Sequence, residues 1–330
     1  MTRVLTYPDI DPQQWQSLID RSPYATWFQT KEAYKFYASL PEEMTPFAVG
    51  VKENGHLVGV IVGYTTQEKN PIKQLLTCRS IIIGGPLLDE RISNDALTAL
   101  LLAVKRVAKN SIYVETRNFH DYSRWKEVFQ NSGFVYQPHY DIHVHCNAQH
   151  QMTERRLREL RKAIKNGATV AEAQSEQQIR DWYQILHRLY REKVRTPLFS
   201  EEFFLQFYRN GVGKYLLVKH EGKVIGGMMC PVLDSKAIYE WYVCGLDEEY
   251  KDLSPSVVAT HAAIEYAKEN GLSLFDFMGA GEPEIPYGVR DFKMEFGGEL
   301  KEFGRFLYVR KPLLYWIGKI GVKWLKRKIR

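Results

Sequence analysis

The sequence predicts a duplicated α/β fold, and three observations carry that prediction. Residues 51–62, VKENGHLVGVIV, return as VKHEGKVIGGMM at 218–229, at a constant offset of 167 with no gap. The elements that follow each copy come in the same order. The length of 330 residues suits two domains of about 100–200 residues each.

Each copy reads as a β-hairpin, turning at Asn54-Gly55 or at Glu221-Gly222. In the first half, apolar residues at Leu97, Leu100, Leu101, Val104 and Val107 have helical spacing and precede a strand, Ile112 to Glu115. His139, Asp141, His143 and His145 alternate with apolar residues, which reads as the wet face of an edge strand; a metal site on that face is the lesser alternative. A polar break at 147–152 precedes a basic helix from Thr153, a capping residue, to the stop at Asn166-Gly167. Its arginines read as a solvated face, with phosphate binding as the alternative. A helical stretch, a loop at Arg195-Thr196-Pro197 and a helix around Phe203, Phe204 and Phe207 follow. After the second hairpin, Ser254 can cap and Pro255 can open a helix ending at Asn270-Gly271, before a strand from Leu272 to Phe277. The expected domains are 1–150 and 151–311, with a basic helix at 312–330 that can pack back on the first.

Hydrophobic residues make up 45% and charged residues 25%, a composition that excludes a disordered chain. No apolar run reaches the roughly 18 residues of a membrane span, and the start has no signal-like apolar region. The four cysteines form no CxxC pair, which argues against a disulfide framework or structural zinc and fits a reducing cytoplasm. No HExxH, GxSxG, Walker or GxGxxG pattern occurs, so zinc hydrolysis, serine hydrolysis and nucleotide-driven ligation are not expected. The net charge of +6 is a tail property: residues 310–330 hold eight Lys and Arg and no acidic residue, and elsewhere 37 basic residues face 39 acidic ones. Leu313, Ile317, Ile320 and Trp324 share one side of a helical wheel, Lys319, Lys323, Lys326 and Arg330 another. That is the pattern of a helix lying on an anionic membrane surface; a terminal helix packed on the body, with Trp316 and Trp324 in the core, is the equal alternative.

The stretch LSPSVVATHAAIEYAKENGLSLFDFMGAG, with YGVRDFKMEFGGELKEFGRF after it, resembles the C-terminal half of the FemABX peptidyltransferases. RRLRELRKAIKNGATV and RTPLFSEEFF resemble their entry into the second domain, and SPYATWFQTKEAYKFY and IIIGGPLLD their first domain. The resemblance implies two tandem acetyltransferase-like (GNAT) domains, each a mixed sheet flanked by helices, in a compact member without the helical arm that grips tRNA. It implies aminoacyl transfer from aminoacyl-tRNA to an amine of a lipid-linked or nucleotide-linked cell-wall precursor at the membrane surface, with no cofactor and no metal. By the same resemblance, Lys293 of the Phe292-Lys293 pair stabilises the oxyanion, and Arg195 and Lys35 hold acceptor phosphates.

A proton acceptor for the attacking amine could be Asp276, at a strand end, its counterpart Glu115, Glu240 on a strand expected from Tyr239 to Val243, or Asp291; no spacing singles one out, Asp276 is the one carried forward, and water or the leaving ribose hydroxyl could serve instead. An acetyl-CoA-dependent relative commonly has a glycine-rich turn before the helix at Pro255 to cradle a diphosphate. Here that turn, Gly245 to Ser256, lacks those glycines and carries Asp247, Glu248 and Glu249, which repel a diphosphate. Tyr250 in the same turn is a candidate substrate contact. The alternatives are an acyl-CoA N-acyltransferase acting on a sugar amine or exopolysaccharide precursor, and a non-catalytic protein that binds precursor or membrane.

Overall fold

The computed structural model describes residues 1–147 and 152–327, without the side chains of 321–327. It divides into two compact units, 1–138 with 303–330, and 139–302. Each holds an eight-stranded sheet of mixed direction with helices packed on it, the α/β architecture expected.

The first unit opens with β1 (Thr2–Thr6), α1 (Pro12–Arg21) and α2 (Lys31–Ala38). Asp11 starts α1 by accepting the Gln13 and Gln14 amides, with Pro12 in the first turn. The hairpin of β2 (Met44–Glu53) and β3 (His56–Thr66) follows, then α3 (Pro71–Thr77), β4 (Ser80–Gly84), β5 (Leu87–Leu88), α4 (Asn94–Val107), β6 (Tyr113–Asn118), α5 (Lys126–Asn131) and β7 (Val135–Gln137). Leu97, Leu100, Leu101 and Val104 of α4 are buried in one core with Val49, Val51 and Ile61 of the hairpin.

The second unit begins with β8 (Tyr140–His145) and α6 (Glu154–Lys165), capped by Thr153 as its sequence predicts. It continues through β9 (Thr169–Glu172), α7 (Glu176–Leu189), α8 (Glu201–Arg209), and the hairpin of β10 (Gly213–His220) and β11 (Lys223–Leu233). Then come β12 (Ala237–Tyr239), β13 (Tyr242–Gly245), α9 (Pro255–Glu269), β14 (Leu274–Asp276), α10 (Gly288–Met294) and β15 (Glu299–Glu302). The chain returns to the first sheet with β16 (Arg305–Val309), between β6 and β7, and ends in α11 (Pro312–Arg327).

The repeat holds to fine detail. Asn54 and Gly55, and Glu221 and Gly222, all have positive φ, the backbone of a two-residue hairpin turn. Both hairpins also slip register at the same place, after Val51 in one and after Val218 in the other.

Four expectations change. The unit boundaries are not at 150 and 311: β8 pairs with β14 and β15 of the second sheet, and β16 with β6 and β7 of the first. For the same reason β8 is an interior strand, not an edge, and Asp141 and His143 are buried. The strand expected from Tyr239 to Val243 breaks at Glu240-Trp241 into β12 and β13. Ser254 does not cap α9 through its side chain; it takes a left-handed backbone, and Asp247 accepts the Ser256 amide at 3.0 Å instead.

Candidate functional site

In the second sheet β12 runs parallel to β14, and Glu240 N–H makes their last bond, to Asp276 O at 2.9 Å. Beyond it β13 stays on β11 while β14 ends. The two strands part, leaving a fork. Lys293 reaches into this fork from α10. Its ammonium donates to Phe277 O at 2.7 Å and Gly279 O at 3.0 Å and pairs with Glu240 Oε1 at 3.0 Å. The side chains are 10% and 4% exposed, so this is a buried ion pair and not a surface lysine. Burial pushes the Glu240 carboxyl up from its ordinary value, with the Lys293 charge pulling the other way. Glu240 Oε2 has no hydrogen-bond partner among the described residues.

The pair lies on a cavity of about 680 Å³. Phe292, Val289 and Gly288 line it from α10, Val243 and Cys244 from β13, Arg156 and Glu159 from α6, and Leu189 and Arg188 from α7. Burial pushes the Cys244 thiol well above its usual value, so it offers no thiolate nucleophile. Arg156 is buried, contrary to the solvated face expected of its helix. It lies 4.4 Å over the Phe292 ring and pairs with Glu159 and Glu295, at 2.5 and 2.6 Å. Those contacts tie α10 to α6 and fix Phe292 beside the fork.

The turn from Gly245 to Ser254 closes another side of the cavity. Glu249 pairs with Arg188, and Glu248 with Lys193. Asp247 occupies the first turn of α9, bonding both the amide and the hydroxyl of Ser256. The Ser256 amide, which would face a diphosphate there, already holds a carboxylate of the chain.

The other candidates fall elsewhere. Asp276 does not line the cavity; it is 1% exposed in a cluster with His143 and Asp141. His143 Nε2 stands 3.4 Å from Asp276 Oδ2 and 3.9 Å from Asp141 Oδ2. Burial, then the Asp276 charge, raise Asp141 to about 8. Burial opposes a charge on His143, but Asp276 and then Asp141 outweigh it and raise that imidazole too. Each of the three offers an atom within 4.8 Å of the others, a set that could take a divalent cation in place of protons. Tyr250 is half-buried against the core and off the cavity. Arg195 is exposed in a left-handed turn after Tyr190–Val194, and Asp291 is exposed on α10. Lys35 is exposed on α2 of the first unit.

The first unit has the same fork, between β4 and β5, but fills it. β4 pairs with β6 as far as Gly84 and Asn118, while β5 pairs with β3. Tyr122, 1% exposed, donates to Pro86 O at 2.7 Å and lies so close to Gly85 that a Cβ there would come 2.7 Å from its ring. Glu115 is no base either: burial raises it, but Arg117 and Arg305, at 3.3 and 2.8 Å, together hold it below the usual carboxylate range.

Residues 151–294 match a family model described as an acetyltransferase (GNAT) domain. The whole chain is similar to the crystal structure of FemX, at 16% identity and a TM-score of 0.71, over 96% of this chain and 99% of that one. The protein has the tandem GNAT fold. The chain is also similar to a tandem GNAT protein from the clavulanic acid biosynthesis pathway, at 11% identity and a TM-score of 0.59, over 93% of this chain and 98% of that one. L-PGS from Bacillus licheniformis follows at 12% identity and 0.58, over 94% and 96%. No curated protein matches the chain in sequence. The resemblance to the FemABX proteins is thus borne out in the fold.

Proposed function

We propose that the protein is an aminoacyltransferase that passes an amino acid from aminoacyl-tRNA to an amine of a cell-wall precursor. The observation that carries this reading is the Lys293–Glu240 pair at the open fork of the second unit. FemX, a structural neighbour over nearly the whole chain, and the C-terminal domain of a putative lysylphosphatidylglycerol synthetase from Agrobacterium fabrum, similar at a TM-score of 0.56, support aminoacyl chemistry on this fold.

The acceptor amine is protonated at neutral pH and must first lose a proton. Glu240 Oε2, buried beside the cavity and without a hydrogen-bond partner among the described residues, takes it; this moves the assignment from Asp276 to Glu240. The nitrogen then attacks the ester carbonyl, and negative charge grows on the oxygen. The Lys293 ammonium, held in place before the reaction and shielded from water, stabilises that charge more than it stabilises the neutral ester. As the C–N bond forms and the ester C–O bond breaks, the second nitrogen proton leaves with the ribose oxygen. Phe292 bounds the site, and Arg195 of the same unit is the residue proposed for acceptor phosphates.

Asp247 at the α9 N-terminus, with Glu248 and Glu249 beside it, supports an ester donor over a coenzyme A thioester. The match of residues 151–294 to an acetyltransferase domain favours the second reading, an acyl-CoA-dependent N-acyltransferase. A transfer assay with mixed charged tRNA and lipid-linked precursor, with and without ribonuclease, decides between them. Transfer abolished by ribonuclease is expected; transfer that survives it, with coenzyme A binding by calorimetry, overturns the tRNA donor.

A further inference from the structure

We propose that α3 and α11, side by side on the first unit, form one surface that docks on an anionic lipid bilayer. The sequence points only to α11; α3 is a finding of the structure.

The seven residues of α3 include no buried one. Ile72, Leu75 and Leu76, spaced to share a face, are 71%, 55% and 44% exposed. On α11, Leu313, Trp316, Ile317 and Ile320 have the same spacing and are 70%, 61%, 46% and 47% exposed. The two helices are neighbours. Seven large apolar side chains in water on adjacent helices far exceed the scattered single residues of an ordinary surface.

The exposed face of α11 is not the result of a loose end. Its other side is tied to the first unit: Tyr315 packs edge-on against Tyr113, with ring centres 5.4 Å apart. Arg310 N–H and Lys311 N–H both donate to Ile112 O, and Lys311 Nζ donates to Asn110 O at 2.8 Å. Trp316 is therefore not a core residue, and the alternative of a terminal helix with its tryptophans in the core fails at that position; the side chain of Trp324 lies outside those described.

Charge chooses the occupant. Residues 310–330 carry eight cations without a single anion. A protein partner or a second copy of this chain would bring these like charges together or need a dense acidic patch; an anionic bilayer supplies both the apolar layer and the counter-charge. A Trp beside Leu and Ile, flanked by Lys, also suits the depth of the headgroups. No helix among the described residues is long and apolar enough to cross a membrane, so the contact is peripheral.

This proposal does not depend on the reaction above, and its test uses no substrate. The full-length protein is floated with vesicles of phosphatidylcholine alone, or with about one third phosphatidylglycerol. Binding to the anionic vesicles only, weakened by salt, is expected. The triple variant Ile72→Ser, Leu75→Ser, Leu76→Ser and the double variant Trp316→Ser, Ile317→Ser should each lower partitioning about tenfold or more with circular dichroism unchanged. An α3 variant that binds like the unaltered protein overturns the two-helix surface. So does sedimentation showing a dimer that both variants dissociate, because the face would then belong to a second copy.

Discussion

The Lys293 ammonium has three N–H groups and three oxygens around it, one of them Glu240 Oε1 at 3.0 Å. All three N–H groups are thus engaged before substrate arrives, so the ammonium acts on the oxyanion as a fixed positive charge rather than as a hydrogen-bond donor, and its position is set by the Phe277 and Gly279 carbonyls as much as by its counter-charge. A charge fixed in this way needs little reorganisation during the reaction.

Removing it should therefore act on the transition state. Lys293→Ala is expected to lower kcat by about 10²–10³-fold while acceptor affinity changes little. The same change leaves Glu240 buried without its cation, at a cost of about 3 kcal/mol in stability. Steady-state kinetics with acceptor-binding calorimetry and denaturant unfolding read the two effects separately; equal losses in turnover and affinity would count against the oxyanion role.

Glu240→Gln keeps the shape of the fork and removes the proton acceptor. The inflection of the kcat/KM profile that reports the Glu240 carboxyl should disappear, leaving only a slow rate that rises with the free-amine fraction. A profile that keeps that carboxyl inflection would move the base elsewhere.

The Asp141–His143–Asp276 cluster makes a prediction about pH. Asp141, near 8 when folded and near 3.8 as a free side chain, binds its proton more tightly in the folded state. His143 is shifted the same way. The stability this gives is complete below about pH 4 for Asp141 and is lost as pH rises through about 8. Unfolding free energy should fall from pH 5 to pH 8. Asp141→Asn, which imitates the protonated acid, should flatten that slope and raise Tm at pH 8. A variant less stable than the parent at pH 8 would show that the carboxylate form is the native one.

Asp247→Ala should cost about 1 kcal/mol by uncapping α9. It also frees the Ser256 amide, which a diphosphate would need. Isothermal titration with coenzyme A should stay silent for the unaltered protein; strong binding by both forms would favour the acyl-CoA reading.

Much of the fold is legible because its signals are local. Asn54-Gly55 and Glu221-Gly222 specify their hairpins from the turn outward, α4 shows its apolar spacing, and α6 its Thr153 cap and Asn166-Gly167 stop. The elements that escape are decided by distant partners. Alternation identifies one face of β8 but not that β14 and β15 flank it, so a buried Asp–His–Asp cluster looks like a wet edge. The break at Glu240-Trp241 exists because β12 and β13 follow different neighbours. α3 is too short, and too exposed, to leave a core pattern. Lys293 is reached through the family resemblance alone; its buried partner Glu240 is one of four carboxylates that spacing could not rank.

The chain's excursion from β7 through the second unit and back to β16 bears on how the halves can be handled. Cutting at the polar break near 150 would strip the first sheet of β16, removing the Arg305 guanidinium from buried Glu115 and the stacking of Phe306 on Phe129. The same cut would leave β8 dangling on the wrong fragment and open β14 and β15 to stray pairing. A separable second half starts at His139 and stops at Glu302, and a separable first half requires a short artificial bridge from Pro138 to Phe303.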